Sequence, residues 1–182
     1  MALSDVEFEV LRRTIAARGT ARMVMLPFAI LAWAALAAAV FEGTVPPAGA
    51  VLALIVLLAG FEAVHALHVG VERIGRFLRV YYEGGPAVPQ WETTVTALPP
   101  APRGGAVDPL FTLVFGCAAV TNFVPVVFGR RPGLILLAGI LHLAFLVRIV
   151  LARRASLAQR TTDVDAFRAL RKTSAATGPS RE

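Results

Sequence analysis

Three histidines, His65, His68 and His142, and one acid, Glu62, stand inside or beside long apolar runs. Glu62 and His65 form a Glu-x-x-His pair, which puts a carboxylate and an imidazole on one helix face, as in carboxylate-bridged di-metal bundles. Those bundles add a second such pair and two further glutamates, and this sequence has neither. A metal ion held by His65, His68 and His142 with Glu62 is one chemistry this set could support, and a haem between His65 or His68 and His142 is another. Glu62 with the histidines is also what a proton or ion pathway would need. The plainer reading is a polar intramembrane cluster of Glu62, His65, His68, Glu72, His142 and Arg148, whose members satisfy one another. Nucleophilic catalysis has little support: the sequence lacks a Gly-x-Ser-x-Gly elbow, a His-Glu-x-x-His helix and a P-loop. Cys117 is the only cysteine and lies in an apolar run, where a thiolate is disfavoured.

Most of these residues sit on one element. On a helix through 60–83, the polar residues Glu62, His65, His68, Glu72, Arg76, Arg79 and Glu83 share a stripe roughly a third of the circumference wide. Leu67, Val71, Ile74 and Leu78 take the opposite side. The apolar run before them makes this one helix from about Ala48 to Glu83, ended by Gly84-Gly85-Pro86. Its length would be roughly 54 Å, against a hydrocarbon core of about 30 Å, so half of it must project. Arg76, Arg79, Tyr81 and Tyr82 on that projecting arm, with Trp91 beyond it, are the expected partner-binding residues.

The rest of the chain supplies what the arm stands on. The composition is 57% hydrophobic and only 16% charged, well short of the ~25% charged residues of soluble domains. The net charge of +6 comes from arginines that flank apolar segments, a membrane-topology pattern that argues against a nucleic-acid partner. The Ser4-Asp-Val-Glu7 capping pattern opens a helix expected to stop at Gly19 and to lie on the membrane surface. Met23 to Phe41 is the first span, with Pro27 in its opening turns. Residues 84–109 form a Pro/Gly-rich loop. Leu110 to Phe128 is the third span, in which Asn122 must face the bundle because lipid cannot satisfy its amide. Leu134 to about Leu151 is the fourth, and a capping pattern at Thr162-Asp163-Val164-Asp165 starts a separate short helix, followed by a disordered end from Ser174.

The expected fold class is therefore an all-α integral membrane protein with four transmembrane helices, the second extended into the cytoplasm, and an N-terminal amphipathic helix. Its parts are that helix (1–22), the four-helix membrane domain with its loop (23–152) and a basic tail with a short helix (153–182). Arginine and lysine concentrate on the side of both termini and the loop, which makes that side cytoplasmic by the positive-inside rule. With the second and fourth spans then running the same way, and their inner ends taken at Glu72 and Ala152, Glu62 comes level with His142, and His68 with Arg148. The function expected first is a non-enzymatic subunit or scaffold of a larger bacterial inner-membrane complex, needing no cofactor. Its contacts would be the bilayer and other subunits or copies of itself, made through the arm, the loop and the tail. A metal- or haem-binding redox subunit comes second, and an ion pathway through Glu62 third.

Overall fold

The structure, a computed structural model, describes residues 5–83 and 107–176, all-helical apart from two turns and the end of the second helix. Four helices follow one another: α1 (Asp5–Phe41), α2 (Gly49–Tyr81), α3 (Val107–Phe128) and α4 (Pro132–Ala176). Each contains a stretch long and apolar enough to cross a membrane. Large apolar side chains such as Phe28, Leu31, Ile55, Leu113, Leu136 and Leu143 point outward from these stretches. In a soluble protein this continuous apolar exterior would drive aggregation; in lipid it costs nothing. The chain is a multi-pass helical membrane protein.

Two expected helix ends are absent. α1 runs through Gly19 without a break, so the N-terminal helix and the first span are one element, and Pro27 lies in its interior. A glycine in mid-helix costs about 1 kcal/mol relative to alanine, and packing against α2 outweighs it. Phe8 meets Tyr82 at 4.8 Å between ring centroids, Arg22 Nη1 lies 2.9 Å from His68 Nδ1, and the Arg18 side chain crosses the backbone of Gly70. α4 likewise continues through Thr162 to Ala176, so the separate tail helix does not exist and residues 174–176 are helical. The hydroxyls of Thr161 and Thr162 donate to the Ala158 carbonyl at 3.3 and 3.1 Å. The residues that read as a cap are thus bonding back along an unbroken helix. α3 begins at Val107, three residues before its expected start. Ser4, Trp91 and the rest of 84–106, and the end of the chain beyond 176, lie outside the described residues.

The turns are short. Gly43, with φ of 76°, ends α1, its amide donating to the Val40 carbonyl while Val45 N–H takes that of Ala39. Arg130 makes the same left-handed turn after α3 at φ of 52°, where a side chain costs about 1–2 kcal/mol.

α2 is the central helix, packed on all three others. A Cβ added to Gly60 would run into the Ala29 side chain, so α1 and α2 pack with small residues between their backbones. Phe61 centres an aromatic cluster that ties α2 to α3 and α4, parallel to Phe111 at 5.4 Å and edge-on to Phe115 and Phe145 at 5.6 and 5.9 Å. A second, smaller core of Ala50, Val126 and Ala138 closes the opposite end of the bundle.

Candidate functional site

The polar residues divide into two sets. The first centres on Asn122, only 1% exposed. Its Nδ2 donates to the Ala50 carbonyl at 2.7 Å and lies 3.0 Å from His142 Nε2, while its Oδ1 accepts from Trp33 Nε1 at 3.3 Å. An indole nitrogen only donates, which fixes the amide's orientation. His142 Nδ1 lies 2.7 Å from the Ala138 carbonyl, an acceptor, so that nitrogen carries the proton and Nε2 receives the amide hydrogen. All four helices meet at this one hub, and it uses no net charge.

The second set is a ladder of ion pairs between α2 and α4. Glu62 takes Arg148 at 2.8 Å; Glu72 takes Arg160 at 3.0 Å and Arg76 at 3.1 Å; Arg76 takes Asp163 at 3.0 Å; and Arg171 donates to the Val80 carbonyl at 2.6 Å. The sequence separations across the ladder are 86, 88, 87 and 91. A nearly constant offset means that α2 and α4 run parallel, in register, over about 27 Å. Arg76 is almost covered, its side chain 11% exposed, and Phe77 meets Phe167 edge-on at 5.5 Å beside it.

This register overturns both expected cross-helix pairs. Glu62 meets Arg148, not His142, and His68 meets Arg22, not Arg148. Glu62 level with His142 is an offset of 80; the observed 86 at Glu62 is a slip of six residues, or about 9 Å. The expected offset takes the change from apolar to charged to fall at Glu72 on α2. The Arg22–His68 contact puts that change one turn earlier, and adding 86 to 68 brings Arg154 level with both.

Each histidine has its own surroundings. His65 stacks on Phe61 at 5.6 Å and 7°. His68 accepts from Arg22 at Nδ1, because a guanidinium only donates, and turns Nε2 toward Glu72 at 3.6 Å. His142 belongs to the Asn122 hub. The structure does not bring the three together, and among the described residues no group of three His, Cys, Asp or Glu side chains stands close enough to hold a metal ion.

Of the expected partner-binding residues, Arg76 is used in the ladder, Tyr81 packs on Phe77 at 4.6 Å and Tyr82 on Phe8. Burial, with the Glu7 and Asp5 carboxylates, pushes the Tyr82 hydroxyl above its usual range. Arg79 has no acid partner among the described residues. Sequence reasoning missed Trp33, Arg22, Arg160, Asp163 and Arg171. Trp33 carried a signal, since an indole inside a span needs an acceptor.

Among the described residues, α1 and α4 flank α2 without packing on each other. A cleft of about 740 Å³ is left between them with α2 as its floor, lined by Leu11, Arg18, Arg73, Ile74, Phe77 and Gln159 among others. Arg18 and Arg73 also have no acid partner among the described residues. Comparison of the chain with protein-family models, with curated proteins and with solved structures gives no match.

Proposed function

We propose that the protein is a non-enzymatic membrane subunit or scaffold of a larger complex, and that its partner seats an acidic, amphipathic segment on the charged halves of the helices. The observation that carries this reading is the division of labour among the arginines. Arg76, Arg148, Arg160 and Arg171 are spent holding α2 to α4. Arg18 and Arg73 line the cleft floored by α2, and they and Arg79, further along that helix, have no acid partner among the described residues. In this reading the membrane boundary lies at the level of Arg22, His68 and Arg154. α2 then projects by about 20 Å and α4 by about 33 Å. The arginine and lysine distribution supports a cytoplasmic location for both termini and for the segment 84–106. An alanine- and arginine-rich composition favours a bacterial inner membrane. A redox role through His65, His68 and His142 draws less support from side chains that already serve separate neighbours.

Extraction from the native membrane in mild detergent, followed by native mass spectrometry, tests the proposal. The expected species contains the 19.3 kDa chain together with a second protein. Arg73→Glu with Arg79→Glu should release that protein without lowering the melting temperature. A wild-type chain that is always alone, or one that carries a Soret band or stoichiometric metal, would overturn the reading.

A further inference from the structure

A second groove, of about 710 Å³, lies on the outside of the bundle between α3 and α4. On α3 it runs from Thr112 past Gly116 to Thr121; on α4 it runs from Leu146 past Val150 to Arg153. The two helices are joined by a short turn and are antiparallel, so Thr112 and Arg153 share one end and Thr121 and Leu146 the other. Thr112 to Thr121 is about 14 Å along the axis, close to one leaflet of a hydrocarbon core about 30 Å thick. The walls are apolar, with Leu113, Val120 and Val150 exposed in them. The floor is open at Gly116, where an added Cβ would meet nothing within 4 Å. The guanidinium at its end has no acid partner among the described residues.

From this geometry we infer that the α3–α4 groove is a binding site for an anionic phospholipid of the leaflet on the charged side. One acyl chain lies along the groove and the phosphate sits on Arg153. The slot is a leaflet deep, apolar along its length and cationic only at the end where headgroups begin. A zwitterionic lipid would fill the slot and bring a phosphate, but its ammonium group offsets the attraction to Arg153. A transmembrane helix from a second copy would need a carboxylate to meet Arg153, and the polar groups that line the groove among the described residues, Thr112, Cys117, Thr121 and Arg153, include none. This site does not depend on the partner proposed for the charged halves.

The test uses the full chain in nanodiscs of phosphatidylcholine, alone or mixed with phosphatidylglycerol, released into the gas phase to count retained lipids. Wild type should keep one phosphatidylglycerol in preference to phosphatidylcholine. Arg153→Gln should reduce that preference about fivefold, which corresponds to about 1 kcal/mol for one basic residue at an anionic surface. Gly116→Leu should fill the slot and abolish retention of either lipid while leaving the melting temperature unchanged. Arg154→Gln, a neighbouring exposed arginine that does not line the groove, should have no effect. Equal losses from Arg153→Gln and Arg154→Gln would mean general surface charge and overturn the site. So would retention unchanged by Gly116→Leu, or a dimer, in place of a bound lipid, that Gly116→Leu dissolves.

Discussion

In the apolar half of the bundle, four helices meet at a neutral amide; in the charged half, two of them meet along a row of carboxylates and guanidiniums. Asn122 satisfies Trp33, Ala50 and His142 without placing a charge in lipid. Glu72, Arg76, Arg160 and Asp163 do the corresponding work where water can share the cost of ionisation. Hydrocarbon penalises an unpaired charge by several kcal/mol but tolerates a hydrogen-bonded amide. The depth of a residue therefore selects the chemistry used to hold the helices. Glu62–Arg148 is the crossover: an ion pair one turn or two inside the apolar region, with both side chains 41% exposed. It is the member of the ladder placed where the hub's chemistry would be expected.

Substitutions can break this comparison from either side. The largest effect should come from Gly60→Val, which forces a side chain between α1 and α2 where Ala29 already stands. Overpacking of this kind costs about 1–3 kcal/mol, read as a shift in denaturant unfolding in detergent micelles. Asn122→Leu should follow at about 1–2 kcal/mol, the range for interhelical hydrogen bonds in membranes; no loss would mean that the hub is ornamental. Glu62→Gln keeps an acceptor for Arg148 and should cost about 1 kcal/mol, less than Glu62→Leu, which strands the guanidinium. Exchanging Glu62 and Arg148 together for leucine should be nearly neutral, because paired removal leaves nothing unsatisfied. Additive losses in that cycle would show that the two residues do not interact. The smallest effect belongs to Asp163→Asn, about 0.2–1 kcal/mol and diminished by salt, as for ion pairs near water.

The four apolar stretches, the bundle-facing side of Asn122 and the continuity of α2 past Gly70 were legible in the sequence. The first two follow from a local cost that has only one remedy, whereas past Gly70 the ion pairs at i and i+4 and the glycines nearly cancel and packing decides. The continuity of α1 and α4 was not legible. Gly19 and Thr162-Asp163 are good local signals for an end and a start, and what overrides them is contact with α2, which no local pattern encodes. The pairing partners were lost for a related reason. Helical periodicity gives the face on which Glu62 lies but not the axial slide of α4 along it, and a slide of six residues replaces His142 with Arg148. Trp33 is 89 residues from Asn122, so their contact had to await the fold.

The central claim is that α1, α2 and α4 leave the membrane unbroken and on the same side. The direct measurement is labelling of single cysteines, in a Cys117→Ser background, by an impermeant maleimide on sealed vesicles of both orientations. Cysteines at the exposed positions Ala17, Arg73 and Gln159 should react from one face only, and the same face for all three. Cysteines at Phe28, Leu52 and Leu143, exposed on the apolar stretches, should react from neither. Labelling of Gln159 from the face opposite to Ala17, or ready labelling at Phe28, would contradict the account.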